Sequence, residues 1–444
     1  MYLAYSLLTL AGVIVVSPYF LYQAVRHGKY VGSLRQRLGF LPIAFNVDGE
    51  ESIWIHAVSV GEALTARALV ADLRERYPRL RLYLSTTTMA GQQVARRNLQ
   101  GIDAVFYFPF DWMFIVRRTL DIVKPSLFVM METEIWPNLL RACRARAVST
   151  IVINGRISTR SYPRYRMIRP FFRRVLGDVD RFCMQSDESA RRLIDLGADP
   201  ARVTVTGSLK FDSLQLPTPI VHGKPRERVL RFFRLPAKRV VIVAGSTMKG
   251  EEAAVLRAFE RVKSIAPGAL LIVAPRNPER FAEAEQLARE TGLVTVRRSD
   301  LPIDSDPRAD VVILDTVGEL AQLYQLATAV FVGGSLADYG GHNILEPAIF
   351  GKPIVFGPHM QNFTEIADTF LANGAAVEVH TERELEQAIL GLVTDPVRRA
   401  RLGAAARALV EANRGAKDKT LTVVSELLPP GGAGGVVRRF RLVQ

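Results

Sequence analysis

From Ile53 onward the chain alternates short apolar runs with amphipathic stretches. Ile53–Val58, Leu82–Ser85, Ala104–Phe108, Leu127–Met131, Thr150–Ile153 and Phe182–Gln185 have the length and residue types of buried strands. Amphipathic segments such as Ala63–Arg76 lie between them. Strand and helix in alternation predict a parallel sheet with helices on both faces. The series pauses over 216–238, where Pro217, Pro219, Pro225 and Pro236 mark a linker. A second series follows at Val240–Ala244, Leu270–Ala274, Val311–Leu314, Val330–Gly333 and Ile354–Phe356. The pattern predicts an α/β chain of two Rossmann-like, doubly wound domains, 26–215 and 239–426, facing a cleft, with a loose basic tail over 427–444.

The first 25 residues break this rhythm. Met1–Val25 carries no charged side chain, which predicts a transmembrane anchor over 1–25. No basic region precedes it, while Arg26, His27, Lys29, Arg35 and Arg37 follow, so a cleaved signal peptide is disfavoured. The positive-inside rule then places both domains on the cytoplasmic side of a membrane. Ser17, Pro18 and Gln23 leave open a helix that only dips into one leaflet.

Charge narrows the partners. The 444 residues carry a net charge of +14, which calls for an anionic partner: phospholipid, phosphorylated substrate or nucleic acid. Arg156–Arg174 concentrates arginines with Tyr162, Tyr165, Phe171 and Phe172 between them. Such a stretch suits single-stranded nucleic acid, lipid headgroups or a solvated face. In a membrane-tethered protein it points to lipid phosphates, with no nucleic acid. Cys143 and Cys183 read as core residues of a reducing compartment. No Walker-type loop and no Gly-x-Gly-x-x-Gly after a strand is present. Asp178-x-Asp180 and Asp304-x-Asp306 are poor metal sites, so no metal is expected.

Candidate chemistry gathers where strands end. Gly333–Pro358 reads as a strand end, a glycine turn, a short helix and another strand, the kind of place where open α/β sheets bind nucleotides. There Glu346 is placed to accept from a ribose, or else Asn343-x-x-Glu346 is a capping box. Glu62 follows the first strand and reads either as a general base or as the acid of a Ser59-x-x-Glu62 capping box. The positive helix end would weaken it as a base. Glu132 and Glu134 follow another strand, and Lys210 follows Val203–Gly207. Gly245-Ser246-Thr247 reads as a phosphate nest, and Arg276 and Val317-Gly318-Glu319 lie at further strand ends.

These segments, in order, resemble the Kdo (3-deoxy-D-manno-octulosonic acid) transferases of lipopolysaccharide synthesis. The resemblance rests on His56-Ala-Val-Ser-Val-Gly-Glu62, Met131-Glu-Thr-Glu-Ile-Trp-Pro-Asn138, Gly207-Ser-Leu-Lys-Phe-Asp212, Gly245-Ser-Thr247, Pro275-Arg276, Asp315-Thr-Val-Gly-Glu-Leu320 and Gly340-Gly-His-Asn343 with Leu345-Glu346. It implies a GT-B glycosyltransferase that moves Kdo from CMP-Kdo to the phosphorylated lipid A precursor (lipid IVA) at the bacterial inner membrane. Inversion and independence of metal or cofactor are implied with it. Carried over, Glu62 is the general base, and Glu132 and Lys210 stabilise the transition state. Ser246, Pro275, Arg276, Val317, Gly318, Glu319, Asn343, Ile344, Leu345 and Glu346 bind CMP. Met248 and Asn277 stand where the family commonly has histidines. The rival expectations are another GT-B nucleotide-sugar enzyme acting on a membrane lipid, or a non-catalytic membrane-anchored nucleotide binder.

Overall fold

A computed structural model describes residues 1–27, 31–42, 45, 46, 48–159, 161–214, 233, 235, 236, 239–302 and 306–429. Most of the expected linker over 216–238, nearly all of the tail from 430, and Lys29, Arg160 and Asp304 lie outside the described residues. The chain divides into two units. One comprises 1–213 with 413–444, and the other 214–412.

Among the described residues each unit is built on a seven-stranded, wholly parallel sheet. In the first unit the strands are β1 (Ser52–His56), β2 (Arg81–Thr86), β3 (Ala104–Tyr107), β4 (Pro125–Met131), β5 (Ser149–Gly155), β6 (Arg181–Met184) and β7 (Val203–Val205). Their order is β3-β2-β1-β4-β5-β6-β7. The chain starts in the middle, winds out to β3, then returns to lay β4 beside β1. That reversal makes a crevice at the C-terminal ends of β1 and β4. Side chains alternate across the sheet. Ile53 and Ile55 join the core on one face with Leu82, Leu84 and Val129, while Trp54 joins the other with Phe106 and Phe128.

The second unit repeats the scheme with β8 (Val241–Thr247), β9 (Leu270–Pro275), β10 (Thr295–Arg297), β11 (Val311–Ile313), β12 (Ala329–Val332), β13 (Ile354–Phe356) and β14 (Val377–Glu378). Here the order is β10-β11-β9-β8-β12-β13-β14, and the reversal falls between β8 and β12.

One expected boundary moves. The last helix, Ala416–Leu427, belongs to the first unit and not to a domain ending at 426. Leu421 and Val424 pack in the core that holds Ile53 and Leu82. Asp212 accepts from the N–H groups of Gly415 (2.9 Å) and Lys417 (3.0 Å) and so fixes the start of that helix.

The transmembrane expectation is not confirmed. Tyr2–His27 is one helix with Pro18 inside it, but no helix among the described residues is long and apolar enough to cross a membrane. Its first turns are held by the first unit. Tyr2 donates to Asp178 (2.6 Å), Tyr5 stacks on Phe171, Ser6 accepts from Asn138 (2.9 Å) and Thr9 accepts from Trp112 (3.2 Å). Positions 2, 5, 6 and 9 are one helical stripe. Leu3, Leu7, Leu8, Ile14 and Val15 lie off that stripe and are exposed, and Val13 and Val16, which continue the stripe, are exposed as well.

Candidate active site

At the first unit's crevice, Ser59 caps the helix Val60–Arg76, and Glu62 lies in its first turn. The capping geometry is present: Glu62 N–H donates to Ser59 Oγ (3.3 Å), and Glu62 accepts from Val58 N–H (2.8 Å) and Ser59 Oγ–H (2.9 Å). It does not make Glu62 an ordinary carboxylate. Burial pushes the carboxyl up to about 7, the negative charge of Glu132 adds to this and Glu134 adds less, while the two hydrogen bonds oppose it. Desolvation and like charge therefore outweigh the helix end. Glu134 is itself raised to about 7 by burial and by Glu132. Glu132 holds a left-handed backbone (φ 53°) although it is not glycine. Its N–H donates to Ile153 O (2.9 Å), which turns the chain sharply off β4.

Lys210 stands farther along the same edge, after β7. Ser208 caps its short helix, and Asn154 Oδ1 accepts from Leu209 N–H (3.0 Å), tying this turn to the end of β5. Asn154 also has a positive φ (54°). His56, at the end of β1, is fully buried against Phe108 and held neutral, its value pushed down by burial to about 3.

In the second unit the candidate residues follow four adjacent strands, β11, β9, β8 and β12. Val317-Gly318-Glu319 comes after β11. Glu319 is paired with the buried Arg298 (2.9 Å) and accepts from Thr316 (2.8 Å). Pro275 ends β9, and Arg276 N–H donates to Thr247 O (3.0 Å) across to β8. Ser246 has φ 57°, a third non-glycine left-handed residue at a sheet edge. Gly333 passes so near that a Cβ on it would lie 2.6 Å from Thr247 Cα, which only glycine allows. Asn343 Oδ1 accepts from Leu345 N–H (3.1 Å), and its amide donates to Glu346 (3.3 Å). Glu346 therefore pairs with the capping side chain and not with the backbone N–H groups. Burial raises its value, while the Asn343 bond and the Arg276 charge oppose the rise. His342 beside it is pushed down to about 4, by burial first and then by Arg276. Ile344 and Leu345 side chains are fully buried, so any ligand there meets their backbone only.

Comparison with known proteins identifies the chemistry. Residues 32–213 match the family model of 3-deoxy-D-manno-octulosonic-acid transferase (kdotransferase). The chain is 31% identical over 406 residues to the 3-deoxy-D-manno-octulosonic acid transferase of Haemophilus influenzae, which spans 91% of this chain and 93% of that one. It is 35% identical over 386 residues to the Bordetella pertussis transferase of the same name, spanning 85% and 87%. The chain belongs to the Kdo transferase family. It is a glycosyltransferase. Solved structures agree on architecture. The glycotransferase of kitacinnamycin aligns with TM-score 0.53 at 15% identity, over 86% of this chain and 99% of that one. A UDP-N-acetylglucosamine 2-epimerase aligns with TM-score 0.56 at 14% identity, over 85% and 97%. At such identities the likeness speaks to the fold alone, the two parallel α/β sheets of GT-B enzymes.

In this Kdo transferase the structure brings Glu62, Glu132 and Glu134 into one electrostatic cluster. It sets Lys210 on the same edge, with β5 and β6 between its strand and β4. It gives two residues of the quoted segments an environment that the sequence did not show. Thr247 Oγ1 and His342 Nε2 are buried polar atoms with no hydrogen-bond partner among the described residues, both against the Gly333-Gly334 turn. Arg298, behind Glu319, was not signalled by the sequence, whereas Glu251 begins the helix that follows Gly245-Ser246-Thr247. The three described aspartates considered for metal have partners of their own. Asp178 accepts from Tyr2 and Arg144, Asp180 accepts from Thr150 N–H, and Asp306 pairs with Arg239. Among the described residues no three His, Cys, Asp or Glu side chains converge as ligands.

Proposed function

We propose that this Kdo transferase uses CMP-Kdo as donor and the phosphorylated lipid A precursor as acceptor, with inversion and without a metal. The observation that carries the reading is Glu62: a carboxyl raised to about 7, buried at the sheet reversal of a chain in this family. A carboxylate titrating near neutrality is ionised when needed and basic enough to take a proton. In the proposed step the acceptor hydroxyl oxygen attacks the anomeric carbon of Kdo, and its proton passes to Glu62. The bond to the phosphate breaks from the opposite face, and CMP leaves with the electron pair. Glu132 and Lys210 attend the charge that develops at the sugar. In the second unit Arg276, with the Val317–Glu319 and Asn343–Glu346 segments, holds CMP, and the Arg276 cation suits the departing phosphate.

The setting we propose is the cytoplasmic face of the bacterial inner membrane. Tyr2–His27 carries exposed apolar residues, and the helix Arg169–Leu176, whose Phe171 packs on Tyr2 and Tyr5, exposes Arg169, Arg173 and Arg174. Exposed apolar residues together with arginines suit an anionic bilayer surface. The aromatic residues of that segment face inward instead: Phe172 is buried and stacks with Tyr165, and Phe171 packs on the N-terminal helix. They are thus unsuited to stacking on bases.

The test is product mass after incubation of purified protein with CMP-Kdo and the lipid acceptor. A gain of one or more Kdo units supports the reading. Turnover with a UDP-sugar and none with CMP-Kdo would refute it.

A further inference from the structure

Glu251 begins the helix Glu251–Ile265 after β8, and it is 1% exposed. Its carboxylate accepts five backbone N–H groups. Oε2 takes Gly334 (2.7 Å) and Met248 (2.9 Å), and Oε1 takes Ser335 (3.0 Å), Leu336 (3.0 Å) and Ala337 (3.2 Å). Successive N–H groups converging on one anion form a nest of the kind that holds phosphate in other sites. Here a side chain of the protein fills it. The N–H groups of Gly334–Ala337 are therefore spent, and the loop after β12 is fixed before any ligand arrives.

What that loop supports lies next along the chain. Gly334 has φ 69°, its carbonyl accepts from Gly341 N–H (2.7 Å), and a Cβ on it would meet His342 Nε2 at 3.1 Å. From His342 the chain runs directly into Asn343–Glu346. Ser335 extends the lock. Its hydroxyl accepts from Gly357 N–H (2.8 Å), beyond β13.

We infer that Glu251 is a positioning residue of the donor site. It holds the Gly334–Ala337 loop, and through Gly334 it sets His342 and the Asn343–Glu346 segment where a nucleoside monophosphate is bound. The inference rests on the proposed role of that segment in holding CMP.

The carboxamide of Glu251→Gln cannot reproduce this. One of its two groups is a donor, and in either orientation it faces backbone donors. In the full-length, detergent-solubilised protein, CMP affinity measured by calorimetry is expected to fall about tenfold or more, the scale of losing hydrogen bonds to a charged acceptor. Glu251→Asp, which keeps the charge, should lose less. Val255→Ala, in the same unit's core, serves as a control. It should lower the melting temperature without moving CMP affinity in the folded protein. If Glu251→Gln behaves like this control, Glu251 is only structural and the inference falls. A second measurement needs no variant. In ligand-free wild type, amide exchange at Gly334–Ala337 should be slow and little changed by CMP. Fast exchange there without CMP overturns the preset loop. Wild type that fails to bind CMP refutes the nucleotide reading itself, whereas CMP binding indifferent to Glu251→Gln refutes this inference alone.

Discussion

Glu62 and Glu251 occupy equivalent places in the two units. Each lies in the first turn of the helix that follows the central strand, β1 or β8, beside the reversal of its sheet. Their surroundings differ. Glu251 accepts five backbone N–H groups. Glu62 accepts one N–H and one hydroxyl, and it faces Glu132 and Glu134. The same residue type at the same topological point is held by backbone donors in one unit and set among like charges in the other. The number of donors and the sign of the neighbouring charge separate the two.

The contrast can be broken most directly at Glu62. Glu62→Gln should keep the fold and CMP binding and lose about 10²–10⁴-fold in transfer rate, the usual worth of a general base. Transfer at the wild-type rate would reduce Glu62 to a helix cap like any other.

A smaller effect is expected in the second unit. Glu346→Ala should weaken CMP-Kdo binding about tenfold, through loss of a buried acceptor near Arg276. A variant that loses thermal stability yet keeps its donor affinity would return Glu346 to the pairing with Asn343 alone.

The smallest effect is on stability. The Glu62 value is near 7 in the folded protein against an ordinary 4.5. Between these the folded state binds more protons than the unfolded chain. This contribution to stability is therefore complete below 4.5 and is lost as pH rises through 7. Melting temperatures of wild type should fall more steeply over that window than those of Glu62→Gln. Part of the slope remains in the variant because Glu134 is raised as well. Parallel curves would show that Glu62 titrates as an exposed acid does.

Much of the scaffold was legible in the sequence because buried parallel strands are written as dense apolar runs. The strands that escaped are short. Thr295–Arg297 and Val377–Glu378 are edge strands of three and two residues. The strand-end positions of Glu62, Glu132, Arg276 and Glu346 could be read because loops after parallel strands must lie at one edge. Their environments could not be read. The strain at Glu132, Asn154 and Ser246 depends on neighbours distant in sequence. The bracing contacts of Glu251 could not be read either, since the loop it holds begins 83 residues later. At the N-terminus an uncharged run concealed the stripe of Tyr2, Tyr5, Ser6 and Thr9, whose partners Asp178, Phe171, Asn138 and Trp112 are brought near only by the fold. The return of Ala416–Leu427 to the first unit is likewise a packing decision, made by Leu421, Val424 and the Asp212 cap.

The pH profile of kcat/KM for Kdo transfer, measured with detergent-dispersed acceptor, bears most directly on Glu62 as the base. The expected profile has an acidic limb whose midpoint lies near the value of about 7 set by burial and Glu132. That midpoint should move to lower pH in Glu134→Gln, where one of the like charges is gone. A limb at the ordinary carboxylate value of 4.5, unmoved by Glu134→Gln, would contradict the assignment of Glu62 as the group that takes the acceptor's proton.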